Sequence, residues 1–283
     1  MTYTDICMKL KSFGIEEYRR EAALILSHFF GVSPAELPFC RDRDFFSAGL
    51  VAALKCREKR YPLQYVLGEW QFCTETYSVG PGCLIPRPET EQLVLDAVEA
   101  LPENAVFLDL CTGSGCIALS VLKRRPDCRA IAVDISDEAL FYAKKNAKAL
   151  GLEDKIEFKT CDVLDLNAPE IICGGTKVSA ILSNPPYIPD ADIDSLEPEL
   201  AFEPRIALDG GDDGLDFYRT IVKSFKNSLR DGGFILFEIG SGQSGDLKKI
   251  AAENGFEASV GYDLSGHDRR VCLMQNAECR MQN

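Results

Sequence analysis

Asp109 to Ala118 read DLCTGSGCIA: the end of an apolar run, a glycine-rich turn, and the start of a helix-like segment. Gly113 and Gly115 let the backbone approach a ligand closely, and the helix that follows presents unpaired N–H groups at its start. Gly113, Gly115 and Ala118 also satisfy the dinucleotide pattern G-x-G-x-x-G/A. Asp134 closes the next apolar run about twenty residues on, where a carboxylate can grip ribose hydroxyls. The turn by itself does not separate a nicotinamide dinucleotide from S-adenosylmethionine. Asp109, two residues before Cys111, is expected to hold the turn by accepting backbone N–H bonds.

Outward from this turn the texture is strand, helix, strand. AVFLDLC, RAIAVDI, KIEFKTCD, VSAILSN and GGFILFEIG are apolar runs of strand length. GCIALSVLKRR lies between the first two and SDEALFYAKKNAKALG between the next two. The latter has Ser136 at the N-cap position, acids in its first turn and Gly151 at its end. This alternation predicts an open parallel sheet whose ligands sit at the carboxyl ends of the strands. FEASVGYD and DRRVCLMQN predict a terminal antiparallel pair.

Earlier in the chain, EEYRREAALILSHFFG places Ala22, Ile25, Leu26, Phe29 and Phe30 on one helical face, with Gly31 as a stop. FFSAGLVAALKCREKR repeats the pattern with a basic end. Three regions are therefore expected: a small helical domain over 1–60, a hairpin-like linker around Gly68 over 61–84, and an α/β domain over 85–283. IPRPET is expected to lead into a helix that runs through Leu101.

Lys plus Arg 31 against Asp plus Glu 44 gives a net charge of −13. Such a field repels phosphate backbones and makes nucleic acid an unlikely partner; it suits a basic protein or a cationic ligand. Twelve cysteines in 283 residues fall well below the roughly 8–10% that marks a disulfide scaffold. None shows C-x-x-C spacing, so no metal site is expected. No run approaches the ~18 apolar residues of a membrane span, and the N-terminus carries acids early, so a cytoplasmic protein is expected. His28 and His267 are the two histidines, which gives histidine-based nucleophilic catalysis little support.

SNPPYIP, Ser183 to Pro189, follows the fourth predicted strand. Pro185 has no N–H and biases Asn184 towards extended geometry, and Pro186 does the same to Pro185. The result is a stiff turn that presents the Asn184 side-chain oxygen and the Pro185 carbonyl as acceptors. A planar –NH2 group has two donors to match them. Binding both would aim its nitrogen at an electrophile, with Tyr187 as a wall against the planar group. A sulfonium is cationic, so acidic strand ends suit it better than they suit a pyrophosphate, which tilts the glycine turn towards S-adenosylmethionine. Asp162 can accept from the exocyclic amine of adenine while Val163 offers an apolar edge to the ring.

NPPY (Asn184 to Tyr187) together with DLCTGSG (Asp109 to Gly115) resembles the amino-methylating class of S-adenosylmethionine-dependent methyltransferases. LIPRPETEQLV (Leu84 to Val94), FEPRIALDGGDDGLDFYR (Phe202 to Arg219) and GHDRRV (Gly266 to Val271) narrow it. Together these motifs resemble the release-factor glutamine N5-methyltransferase family, called HemK or PrmC, over nearly the whole chain.

The resemblance implies a Rossmann-like domain with a mostly parallel seven-stranded sheet, behind an N-terminal helical domain that recognises the substrate. It implies methylation of the glutamine amide in the Gly-Gly-Gln motif of peptide chain release factors, with S-adenosylhomocysteine as by-product. Cys111, Thr112, Gly113, Ser114, Gly115 and Asp134 would contact the cofactor, and Asn184, Pro185, Pro186 and Tyr187 would hold the glutamine. Cys111 stands where relatives often have glycine, and Val163 where they can carry a tryptophan, so stacking on the adenine should be weaker. Arg87 is expected either to close over the site or to serve helix entry.

Three other readings compete. An adenine-N6 DNA methyltransferase uses a similar Asn-Pro-Pro-Tyr turn on a flipped base, but calls for a basic face. A nicotinamide-dependent dehydrogenase leaves Asn184 to Tyr187 without a role. A binding module that has lost turnover has no need to keep Asn184 and Tyr187 together.

Overall fold

In the computed structural model, residues 1–40, 42–263 and 265–275 are described. The chain forms two units: Met1–Trp70 with Glu197–Phe202, and Gln71–Leu196 with the chain from Glu203 onward.

The first unit holds α1 (Tyr3–Ser12), α2 (Tyr18–Phe30), α3 (Ala48–Glu58) and α4 (Leu63–Leu67). Thr2 and Asp5 form a reciprocal capping box on α1, and Gly31 ends α2 at φ 65°, as its place in the sequence predicts. Ile6, Leu10, Ala22, Ile25, Leu26 and Leu50 are fully buried. Arg57 is buried among them, and its guanidinium forks onto Glu21 at 2.8 and 2.9 Å and reaches Glu199 Oε1 at 3.1 Å. Arg60 Nε donates to the same Glu199 at 2.6 Å. A buried guanidinium left without these carboxylates would be strongly destabilising, so the pairs hold Glu197–Phe202 in this unit.

The expected hairpin is present as β1 (Glu69–Phe72) and β2 (Glu75–Ser78), but Gly68 is not its turn. Gly68, at φ 74°, caps α4 by donating to Gln64 O at 2.8 Å. Between the strands, Cys73 takes up the left-handed backbone at φ 54°.

In the second unit α5 (Glu91–Ala100) precedes β3 (Val106–Leu110), α6 (Cys116–Arg124), β4 (Arg129–Asp134), α7 (Asp137–Leu150), β5 (Ile156–Thr160), α8 (Ala168–Cys173) and β6 (Val178–Ser183). Then come α9 (Asp190–Ile193), α10 (Asp216–Phe225), β7 (Leu229–Glu238), α11 (Ser244–Glu253), β8 (Glu257–Tyr262) and β9 (Asp268–Met274). The seven-stranded sheet has the order β5-β4-β3-β6-β7-β9-β8. Its first five strands run parallel, and β9 lies antiparallel between β7 and β8. The mostly parallel sheet behind N-terminal helices is the fold class the sequence predicts.

Alternation along β3 sends Phe107 to a core shared with α5 and α6, and Leu108 to a core shared with α10 and α11. β6 is buried along its whole length, as a central parallel strand with both faces covered must be. Ser136 Oγ accepts from Ala139 N at 3.1 Å and Gly151 ends α7 at φ 69°. Because β3 lies between β4 and β6, the chain order reverses there, which opens a crevice at the carboxyl ends of β3 and β6. Among the described residues no helix is long and apolar enough to cross a membrane. The expected domain end at residue 283 lies outside the described residues.

Candidate active site

The turn after β3 is built by two carboxylates. Asp109, fully buried on β3, accepts from Thr112 Oγ1 at 2.6 Å and from Ala118 N at 3.1 Å. It thus holds the turn through one hydroxyl and one N–H of the first turn of α6. Burial pushes its carboxyl up to about 7, opposed by these two bonds. Asp134, at the end of β4, accepts from Gly113 N at 2.8 Å and from Ser136 N at 3.0 Å. Its carboxyl is raised by burial, which the backbone donors oppose. Cys111 sits at φ 59°, a left-handed conformation that explains why glycine is at home in this place.

These elements enclose a pocket lined by Cys111, Thr112, Gly113, Ser114, Asp134, Asp162, Val163, Asn184 and Pro186, together with Arg87 and Thr90. Gly115, Asp109, Pro185 and Tyr187 are not among the lining residues. Gly115 caps α6 at φ 79°, and a Cβ there would lie 3.2 Å from Ala143 Cβ on α7. Its constraint is helix packing rather than ligand approach. Gly113, at φ 56°, faces open space instead. Asp162 turns back to accept from Leu164 N at 2.9 Å.

Asn184 leaves the end of β6, where Ser183 Oγ donates to Leu110 O at 2.6 Å and locks the two central strands together. Asn184 Nδ2 donates to Thr90 Oγ1 at 3.3 Å. The turn that follows is clamped by the segment 208–214. Ile188 N donates to Leu208 O at 3.0 Å, Gly210 N to Ile188 O at 2.9 Å, and Asp190 N to Gly211 O at 3.0 Å. Gly210 packs directly on the turn: a Cβ there would stand 2.7 Å from Tyr187 Cα and 2.9 Å from Pro186 O. Gln243 closes the other side, donating to Tyr187 O at 3.0 Å and accepting from Gly240 N at 2.8 Å. Burial pushes the Tyr187 hydroxyl up to about 12, so the ring meets its surroundings uncharged. Backbone lies on both sides of the Gly210 contact, so Gly210→Ala is expected to lower unfolding free energy by about 1–3 kcal/mol. Denaturant titration measures this, and an unchanged midpoint would contradict the clamp.

Four partners are not marked as site residues by the sequence, although Thr90 and Glu203 lie within LIPRPETEQLV and FEPRIALDGGDDGLDFYR. Glu203, buried, accepts from Ile85 N at 2.9 Å and pairs with Arg87. Arg87 therefore fastens the IPRPE segment to the chain returning from the helical unit, while also lining the pocket. Thr90 and Gln243 hold the Asn-Pro-Pro-Tyr turn from two separate elements, and Glu238 lies buried at the end of β7. The signal for Glu238 lies in the sequence as an acid ending an apolar strand, the same signal that marks Asp134.

Comparison with known proteins agrees with this architecture. Residues 101–191 match the family model described as a methyltransferase domain, and residues 3–68 match that described as the PrmC N-terminal domain. The release factor glutamine methyltransferase of Geobacter sulfurreducens is 38% identical over 274 residues, which cover 91% of this chain and 90% of that protein. That of Cereibacter sphaeroides is 39% identical over 268 residues, covering 93% of each. A methyltransferase structure from Pyrococcus furiosus aligns at TM-score 0.52 and 14% identity, covering 71% of this chain and 89% of that one, a likeness of fold. The glycine turn, the acid-ended strands and the Asn-Pro-Pro-Tyr turn thus occur in a chain that belongs to the release factor glutamine methyltransferase family.

Proposed function

We propose that this protein transfers the methyl group of S-adenosylmethionine to a glutamine side-chain amide, that of the Gly-Gly-Gln motif in peptide chain release factors. The observation that carries the reading is Asn184 on the pocket wall, with its –NH2 committed to Thr90. An amide whose nitrogen is engaged on one side offers its oxygen on the other. That oxygen and the Pro185 carbonyl are acceptors, and Pro185 and Pro186 contribute no N–H to oppose an incoming –NH2.

The pocket residues suit the cofactor. Gly113 leaves space where a Cβ would stand, Asp134 and Asp162 supply negative charge, and buried Val163 supplies an apolar edge. Bound there, S-adenosylmethionine supplies an electrophilic methyl group on a cationic sulfur. An amide nitrogen is a poor nucleophile because its lone pair is delocalised. Two acceptors on its hydrogens orient that lone pair and stabilise the positive charge that develops as the new N–C bond forms.

The helical unit, which carries the match to the PrmC N-terminal domain, is assigned to recognition of the release factor. The net charge of −13 suits a basic protein partner, and a role in translation places the reaction in the cytoplasm. The test is to incubate the purified protein with labelled S-adenosylmethionine and either a release factor or adenine-containing duplex DNA. Label on the factor supports the reading. Label on the DNA alone would replace it with adenine-N6 methylation.

A further inference from the structure

A substrate amide that enters this pocket has two ends to satisfy. Its –NH2 meets the acceptors of the Asn-Pro-Pro-Tyr turn, but its carbonyl oxygen needs a donor once water is excluded. The turn supplies none to the pocket. Pro185 and Pro186 have no N–H, the Asn184 –NH2 is committed to Thr90 Oγ1 at 3.3 Å, and Tyr187 is not among the lining residues. The donor has to come from another part of the wall.

Among the described residues that line the pocket, Arg87 carries the one cationic side chain. It stands one turn ahead of Thr90, whose N–H donates to Arg87 O at 3.1 Å, and this ties it to the Asn184 end of the pocket. Its guanidinium is anchored at one corner. Nη2 donates to Glu203 Oε1, while Glu203 Oε2 accepts from Ile85 N at 2.9 Å, so both oxygens of that carboxylate are engaged. The Glu203 side chain is 2% exposed and that of Arg87 29%: the carboxylate is sealed into the wall and the arginine is open to the pocket. Glu203 also clasps two strips of chain, since Ile85 and Arg87 line the pocket on one and Pro204, Ile206 and Ala207 on the other. Among the described residues, Arg87 Nε and Nη1 have no hydrogen-bond partner. A guanidinium holds its donors in a rigid plane, so fixing one nitrogen aims the rest.

We propose that Arg87 binds the carbonyl oxygen of the substrate glutamine amide, and that Glu203 is a positioning residue that holds the guanidinium for this contact. The proposal rests on the glutamine-methylation reading. Each end of the planar amide then meets its complement, with the acceptors of Asn184 and Pro185 at nitrogen and the donors of Arg87 at oxygen. Such a grip fixes the plane of the amide and with it the direction of the nitrogen lone pair. A donor at oxygen favours delocalisation and does not itself make the nitrogen more nucleophilic. The contribution of Arg87 is therefore affinity and orientation, read in KM.

Three variants test this: Arg87→Ala, Glu203→Gln, and the two combined, which leaves no buried carboxylate unpaired. Arg87→Ala should raise KM for a release factor about tenfold or more, with calorimetric affinity for S-adenosylmethionine unchanged. Glu203→Gln should act in the same sense, because an amide accepts at only one of its two ends. The combined variant should be no worse than Arg87→Ala alone. An unchanged KM in Arg87→Ala overturns the proposal, and so does a matching loss of cofactor affinity, which would assign Arg87 to the cofactor carboxylate. Additive losses in the combined variant would remove the positioning role of Glu203. A second measurement uses wild-type protein carrying 15N-labelled arginine and bound S-adenosylhomocysteine, the Arg87 Nε–H resonance being identified by its loss in Arg87→Lys. A Gly-Gly-Gln peptide should shift that resonance, and the same peptide with norvaline in place of glutamine should not. No shift with the first, or an equal shift with both, overturns the proposal. Wild-type protein that methylates no release factor refutes the substrate assignment itself, and the proposal with it.

Discussion

Asn184→Ala is expected to bind S-adenosylmethionine with near wild-type affinity and to transfer methyl on the order of 10²-fold more slowly or worse. That is the penalty usual for losing one preorganised hydrogen bond to a group whose charge changes in the transition state. The side chain lines the pocket, but the glycine turn does not depend on it: Gly113 is tied to Asp134, and Thr112 to Asp109. Removing it therefore spares the cofactor cradle and, on the proposed reading, strips an acceptor from the incoming amide. Calorimetric titration with the cofactor, beside single-turnover methyl transfer, separates the two effects. Equal losses in both would mean that Asn184 belongs to the cofactor site, and an unchanged rate would remove it from the chemistry.

The opposite pattern is expected for Asp134→Ala, with cofactor affinity falling on the order of 10²-fold. The two backbone N–H groups that Asp134 now satisfies, at Gly113 and Ser136, would both lose a charged acceptor. Charge-assisted bonds of this kind contribute about 1.5–3 kcal/mol each, and every 1.4 kcal/mol is tenfold in binding. On the proposed reading, ribose hydroxyls donating to the same carboxylate would add to that loss. Asp134→Asn should be nearly as damaging, because its –NH2 would face one of those backbone N–H groups, donor against donor. Titration of the purified variants with S-adenosylmethionine decides this, and wild-type affinity in Asp134→Ala would take the carboxylate out of the ribose role.

The strands and their caps were legible because their causes are local. Ser136 and Gly151 delimit α7 through bonds within its own first and last turns, and Gly31 does the same for α2. The alternation of strand and helix announced a parallel sheet, and with it the crevice where Asp134 and Asn184 converge. Gly68 misled for a local reason too: a glycine between short polar and apolar runs serves equally as a hairpin turn or as a helix C-cap.

What stayed hidden depends on contacts between residues far apart in the chain. Thr90 lies in a motif that suggests only helix entry, and nothing near it announces Asn184 as its partner. Glu199 reads as one acid among several until Arg57 and Arg60 are seen to hold it. The glycines of FEPRIALDGGDDGLDFYR look like a loop, whereas Gly210 is small because Tyr187 and Pro186 press against it. Motif spacing located the pocket. The hydrogen bonds that orient its wall became visible only in three dimensions.

The central claim is that one amide nitrogen receives the methyl group. The most direct test is fragmentation mass spectrometry of a release factor after incubation with this protein and S-adenosylmethionine. The account predicts one added methyl on the side-chain nitrogen of the Gly-Gly-Gln glutamine, and none when that glutamine is replaced. A methyl group on another residue, or one that persists after the replacement, would contradict it.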